Sequence, residues 1–283
     1  MAFAVVLLAG GAVACGEGAG SDVANEDPVD VAPATAVAKA ATNSEDIRSL
    51  RYRITGMVPE KGRLEAEASM NTEPLTMGME MTAAAQDGGG QLEVRFVDEV
   101  MYVGGSAVDS EKLDGKGWFR ADPAGWGRGA VDNQSYGVLP REIEGSPVVQ
   151  STLLTGAKDL RMIGTETVDG TRTRHYKGTV TTRGLLAARK GAVDESARER
   201  LVESLDQFVG LGVSDALTMD LWIDGDDQAK QFRMRAEPDG KQAGTGGGPL
   251  DLTVLFLDVN QPVSIETPPA EDTTALADGA QGS

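Results

Sequence analysis

Apolar and polar residues alternate along much of the chain between Ser49 and Leu257. In Arg63 to Met70, Leu64, Ala66, Ala68 and Met70 fall on one parity, and Arg63, Glu65, Glu67 and Ser69 on the other. Leu75, Met77, Met79 and Met81 repeat the pattern against Thr76, Gly78, Glu80 and Thr82. Leu92, Val94 and Phe96 then alternate with Glu93, Arg95 and Val97. Successive strand residues point to opposite faces, so period two marks strands with one face in a core and one in water. Ser49 to Val58, Met101 to Val103, Gly117 to Arg120, Leu160 to Thr167, Thr171 to Thr181, Ala216 to Ile223, Lys230 to Glu237 and Leu250 to Leu257 are predicted strands as well. Turn chemistry separates them at Asn71–Pro74, Asp87–Gly90, Val168–Thr171 and Asp224–Asp227, and Gln242 to Pro249 is a Gly-rich loop.

Two stretches switch to helical spacing. Ser146-Pro147 offers an N-cap and a proline at the first helical position, with Val148, Val149, Thr152 and Leu153 following. Asp194 is placed to cap a second helix. There Ala197, Leu201, Leu205 and Phe208 form one stripe with Val202 and Val209 beside it, and Glu195, Arg198, Glu199, Arg200 and Glu203 face water. No internal repeat and no composition break divides residues 47–265, which are predicted as one domain.

The ends differ in kind. Ala2 to Val13 is an almost unbroken run of small and apolar residues. It is shorter than the roughly 20 residues that span a bilayer and has the length of a signal-peptide core. It ends Ala12-Val13-Ala14-Cys15-Gly16, which puts the only Cys where small residues take over. This box resembles a bacterial lipobox, with Ala12 where Leu is usual. The resemblance implies removal of residues 1–14 and a diacylglycerol thioether on Cys15. Gly16 to Asp46 carries seven acids and one base, and Glu266 to Ser283 four acids and no base. Such composition predicts an extended tether over 15–46, in which the alanines of Ala32 to Asn43 support a short helix, and a disordered tail over 266–283.

The formal net charge is −18, with 26 Lys and Arg against 44 Asp and Glu, and the two ends hold −10 of it. The folded part is therefore only mildly acidic, and the sign argues against a nucleic-acid partner, which demands a basic face. One Cys excludes an intrachain disulfide, and one His makes a His-based zinc site or a Ser-His-Asp triad hard to build. No metal or cofactor is expected. Gly212-Val-Ser214-Asp-Ala216 nearly matches a nucleophile elbow, but a predicted helix precedes it and a strand follows, the reverse of the order an elbow needs. His175, between Arg174 and Tyr176, reads as a sheet-face histidine. Asp224, Asp226 and Asp227 read as a solvated turn without the distal Glu of a calcium loop. Gly244 to Gly248 lacks the Lys-Ser/Thr that completes a phosphate loop. No catalytic residue is assigned, and the chain is not expected to be an enzyme.

Methionine is the most informative residue type. Met57, Met70, Met77, Met79 and Met81 crowd into three neighbouring strands. A flexible, polarisable thioether suits a surface that accepts variable apolar shapes. Ordinary core packing against the helices is the alternative.

Five segments carry a resemblance: Ser49-Leu-Arg-Tyr-Arg-Ile-Thr-Gly56, Val100-Met-Tyr-Val103, Gly117-Trp-Phe119, Gly164-Thr-Glu-Thr-Val-Asp-Gly170 leading to His175-Tyr176, and Met219-Asp-Leu-Trp-Ile-Asp224. Together they resemble actinobacterial lipoproteins of the LppX/LprG type, within the LolA-like superfamily, over roughly Ala32 to Pro269. The resemblance implies an α+β fold: a strongly curved antiparallel sheet (half-barrel) with helices packed over the concave side and an apolar cavity between. It implies an extracytoplasmic protein anchored through Cys15 to the outer face of the cytoplasmic membrane. Such a protein binds acylated lipid or lipoprotein and helps carry it across the envelope, with an envelope transporter as a further partner. The other reading is an envelope sensor or interaction module on the same fold that holds no lipid. The apolar parity of the strands supplies the cavity candidates Met77, Met79, Met81, Leu92, Val94, Phe96, Met219 and Leu221, and the second helix adds Leu205 and Phe208.

Overall fold

A computed structural model describes residues 31–59, 62–83, 90–121, 139, 141–212, 216–237 and 249–275. All of these but Val31 belong to the second of two units, Ala32–Ser283. The apolar run, Cys15, Ser214, the loop from Gln242 to Gly248 and residues 276–283 lie outside the described residues.

The strands are β1 (Ser49–Val58), β2 (Gly62–Thr72), β3 (Leu75–Ala83), β4 (Gly90–Val97), β5 (Val100–Gly104), β6 (Trp118–Ala121), β7 (Arg161–Val168), β8 (Thr171–Val180), β9 (Leu217–Ile223), β10 (Ala229–Ala236), β11 (Leu250–Val259) and β12 (Thr273–Ala275). The helices are α1 (Pro33–Asn43), α2 (Arg141–Glu144), α3 (Pro147–Ser151), α4 (Thr182–Gly191) and α5 (Glu195–Gly210). The strands form one open, curved sheet in the order β12-β6-β5-β4-β3-β2-β1-β11-β10-β9-β8-β7. Neighbours pair antiparallel except β12, which runs parallel to β6.

Local chemistry fixes the hairpins. Asp169 and Gly170 both take positive φ, 47° and 75°, in the two-residue turn between β7 and β8. Asp98 and Glu99 do the same at 52° and 63° between β4 and β5, with no glycine to favour it. The long-range join of β1 to β11 depends on Gly56. At φ 145° it lies against β11 where a Cβ would overlap the backbone oxygen of Asp251.

One face of the sheet carries the core. Leu50, Tyr52, Ile54, Leu64, Met79, Val94, Met219, Leu221, Phe232, Met234, Leu252 and Phe256 are all buried there. The 3-10 turn Leu153–Gly156 contacts β8 and β9, and α3 contacts β10; α1, α4 and α5 stack on that turn. The helix predicted from Ser146 is therefore a single α turn followed by a 3-10 turn. In α5 the Asp194 carboxylate accepts from the Ala197 N–H at 2.7 Å, and Leu201 and Phe208 are buried.

Three features depart from the sequence expectations. The short helix placed in the tether is α1, and it is part of the core: Ala36, Val37, Ala40 and Ala41 are buried, and Lys39 pairs with Asp227 at 2.6 Å. The folded unit thus begins near Ala32 rather than Ile47. The expected disordered tail is ordered through Ala275. It is held to the residues before β6: the Asp272 carboxylate accepts the Gly117 N–H at 2.8 Å, and the Glu271 backbone carbonyl accepts from Lys116. Finally, α4 occupies a stretch that no pattern marked. Thr181 caps it by accepting from the Gly184 N–H at 3.0 Å.

Candidate functional site

The strand register turns the apolar parity into continuous rows. One row runs Leu50–Met70–Met77–Phe96–Met101 from β1 to β5. The next runs Tyr52–Ala68–Met79–Val94–Val103–Phe119 from β1 to β6, and a third Ile54–Ala66–Met81–Leu92. On the other half of the sheet, Tyr176, Leu221 and Phe232 form a row, and Gly178, Met219 and Met234 another. Eight of the ten cavity candidates are thus brought to one face by the strands alone, and α5 adds Leu205 and Phe208.

Burial divides these residues. Met219 and Leu221 lie where the helices cover β8 to β10, and with Phe208 they are sealed in dense core. Met79, Met81 and Val94 are also buried, at 1%, 4% and 0% exposure. Met77, Leu92, Phe96 and Phe119 are only half-buried against the core, and Leu205 of α5 likewise. The accessible apolar surface therefore centres on β3 to β6. Met57 does not belong to it: it pairs with Asp251 and Arg63 on the opposite parity and is exposed.

The opposite face is a charge ladder. Arg53 donates to Glu67 at 2.6 Å, Arg233 grips Asp251 through two bonds of 2.6 Å, and Arg95 pairs with Glu93 and lies 4.7 Å over the Trp118 ring. The chain after β11 crosses this face. The Val263 carbonyl accepts from Asn71 at 3.3 Å, the Glu266 carbonyl accepts from Arg95 at 3.0 Å, and Ile265 covers Gly78. Beneath it is a pocket of about 430 Å³ with Arg51, Glu67, Glu80, Glu93 and Arg95 in its walls. Its charged lining does not suit an acyl chain.

His175 sits in the same ladder. Its Nδ1 lies 2.8 Å from Glu166 Oε1, its Nε2 lies 2.8 Å from Asp220 Oδ1, and its ring stacks on Trp222 with centroids 4.2 Å apart. Trp222 donates to the other Glu166 oxygen at 3.0 Å, and Arg235 donates to Asp220. Each ring nitrogen faces a carboxylate, so neither is turned to a hydroxyl as a general base would be. Asp227 is no solvated turn acid: it pairs with both Lys39 and Arg174. Asp224 caps its own turn, accepting from the N–H groups of Asp226 and Gln228. Among the described residues, no group of three or more His, Cys, Asp or Glu is arranged to hold a metal ion. The signal for this ladder was present in the polar parity of the strands, but it becomes legible only once the register is known.

Among the described residues, four carboxyl groups are held below their ordinary range. The Trp222 N–H is the main cause at Glu166, followed by His175. Lys39 leads at Asp227, Arg233 at Asp251, and the backbone N–H of Thr179 at Asp159. A lowered folded pKa confers stability that is complete above the unfolded value, about 4, and is lost as pH falls through the folded one. The melting temperature is expected to hold between about pH 7 and 5 and to drop below about pH 4. Thermal melts across that range check it, and a flat profile down to about pH 3 contradicts it.

No family model matches the chain. A Streptomyces coelicolor protein named as a lipoprotein, SCO4650, is 24% identical over 199 residues, covering 68% of this chain and 54% of that protein. The chain thus spans about half the length of the curated relative it matches. Among solved structures, LprF of Mycobacterium bovis aligns with a TM-score of 0.50 and 12% identity, over 83% of this chain and 96% of that one. The fold is that of LprF. The Mycobacterium tuberculosis lipoprotein LppX aligns over 84% of this chain and 100% of that one, with a TM-score of 0.49 and 16% identity. The LprF alignment carries the resemblance to LppX/LprG-type lipoproteins at the level of fold. In this LprF-like sheet, the half-buried apolar surface lies on β3 to β6 and the sealed core beneath the helices.

Proposed function

We propose that this is an envelope lipoprotein that binds an acylated lipid along the apolar face of β3 to β6 and helps carry it across the envelope. The observation that carries the reading is the half-buried group Met77, Leu92, Phe96 and Phe119 beside the sealed methionines. Each methylene laid against such a surface contributes about 0.8 kcal/mol, so part of one acyl chain outweighs the entropy of ordering it. The LprF-like fold and a relative named as a lipoprotein support it. The other reading, an interaction module that holds no lipid, is favoured by the tight burial of Met79, Met81 and Val94. On either reading an envelope transporter is a candidate partner.

On this reading the activity is binding rather than turnover, which is supported by both His175 nitrogens facing carboxylates. The chain begun at Gly16 is expected to extract a fluorescent acyl lipid from vesicles without altering the lipid's mass. His175→Ala and Ser214→Ala should keep most of that extraction. Release of free fatty acid, abolished by either substitution, overturns the carrier reading in favour of an enzyme.

Cys15 is proposed as the acylated first residue of the mature protein, anchored at the outer face of the cytoplasmic membrane. Metabolic labelling with a fatty-acid analogue should mark the natural chain and fail for Cys15→Ser. Equal labelling of both contradicts the anchor. Two or more acyl chains hold a protein stably on a bilayer, whereas a single myristoyl chain does so only marginally.

A further inference from the structure

Within a chain of net charge −18, residues 158–163 and 182–191 carry five bases and one acid. The structure brings these two segments together. Arg161, at the start of β7, pairs with Lys177 of β8, and Asp159 accepts from the N–H and hydroxyl of Thr179, just before α4. The first turn of α4 then rests on Gly156, with Gly184 against its backbone oxygen. Asp159, the one acid, is thus occupied. Lys158, Arg161, Arg183, Arg189 and Lys190 are all exposed and make no ion pair within 4.0 Å among the described residues.

Apolar side chains sit among these bases. Arg183, Leu186, Ala187 and Lys190 recur at i, i+3, i+4 and i+7, so they share one face of α4, and each is exposed. Val193, just beyond the helix, is 91% exposed. Met162 and Ile163 on the edge strand are 39% and 46% exposed, and Met162 has the parity of Tyr176, which puts it on the helix-bearing side. A short apolar strip flanked by Lys and Arg is the composition of a segment that lies in a lipid headgroup layer. The neighbouring α5 presents Glu195, Glu199, Glu203 and Asp206 to solvent, which confines the basic surface to α4 and the start of β7.

We propose that this surface docks the folded unit onto an anionic lipid bilayer. The bases of α4 and Lys158 meet the headgroups while Leu186, Val193 and Met162 enter the interface; Arg161, with the parity of Lys177, lies on the other side of the edge strand. The acidic remainder of the protein then faces away from the membrane. This proposal does not rest on lipid cargo.

The test is flotation of the chain begun at Gly16, which keeps every described residue and lacks both the apolar run and Cys15. Vesicles of phosphatidylcholine alone are compared with phosphatidylcholine–phosphatidylglycerol mixtures, at low salt and at about 0.5 M, where screening shortens to a few Å. Binding to the anionic vesicles at low salt is expected, with little to neutral vesicles and loss in salt. The double substitution Arg183→Glu/Lys190→Glu should weaken it at least tenfold with an unchanged melting temperature. Arg172→Glu, a single charge reversal on the exposed β7–β8 hairpin, should not. Met77→Trp, which blocks the proposed cargo surface, should float normally, so failure of the cargo reading and failure of this one are separable. No binding to anionic vesicles, equal binding to neutral ones, or indifference to the double substitution overturns the proposal. An acidic protein partner for the patch would produce the first of these outcomes.

Discussion

Met77→Trp is expected to lower affinity for an acylated lipid at least tenfold while leaving the protein folded. Met77 lies between Met70 and Phe96 in a cross-strand row and is half-buried, so an indole there projects into the space an acyl chain would use. Displacing even two methylenes costs about 1.6 kcal/mol at about 0.8 kcal/mol each, which exceeds a factor of ten. Met79→Trp is the contrasting variant. Met79 is 1% exposed, and an enlarged side chain in dense core forces neighbours off their rotamers at a cost of about 1–3 kcal/mol. Lipid extraction and thermal melts of both variants separate the effects. Unchanged extraction by a folded Met77→Trp protein contradicts the placement of the site on β3 to β6.

Asp220→Ala should be the most damaging single change on the charged face. Its side chain is 4% exposed and accepts from Arg235, faces His175 at 2.8 Å and lies 4.0 Å from Lys177. Removing one partner of a buried ionic group leaves the others uncompensated and costs about 3–5 kcal/mol. For a unit of this size that lowers the melting temperature by roughly 6–20 °C. Glu166→Gln is the control: its side chain is 50% exposed, where such a bond is worth about 1 kcal/mol or less. Equal shifts from the two substitutions contradict the view that Asp220 anchors β8, β9 and β10 together.

The strands were legible because period two is strong in β2, β3 and β4, and the β7–β8 turn carries the Asp-Gly chemistry that positive φ demands; in the β9–β10 turn the positive φ falls on Asp227 rather than on Gly225. The join of β1 to β11 was not, since long-range pairing leaves no local trace beyond Gly56. α4 is not legible because its glycine at position 184 argues against a helix. That glycine is there for close approach to Gly156, a tertiary requirement. α1 is legible as a helix but not as part of the core, because alanines carry little hydropathy even when they pack closely. β12 was hidden by acids that predict a solvated tail, whereas here the Asp272 carboxylate binds the Gly117 N–H and the Glu271 backbone carbonyl binds Lys116. For the site, parity correctly gathered Met77, Met79, Met81, Leu92, Val94, Phe96, Met219 and Leu221 on one face. It could not divide half-buried Met77 and Phe96 from sealed Met219, because that depends on which strands the helices cover.

Native mass spectrometry of the untagged chain begun at Gly16 tests the central claim most directly. A carrier purified from a cell that makes acylated lipids should show a second series of peaks, heavier by the mass of a bound lipid, that collapses to the bare chain after solvent extraction. The same series should be largely absent from Met77→Trp. A single bare-chain mass before and after extraction, with no uptake of added acyl lipid, contradicts the account and leaves the sheet as a surface for protein partners.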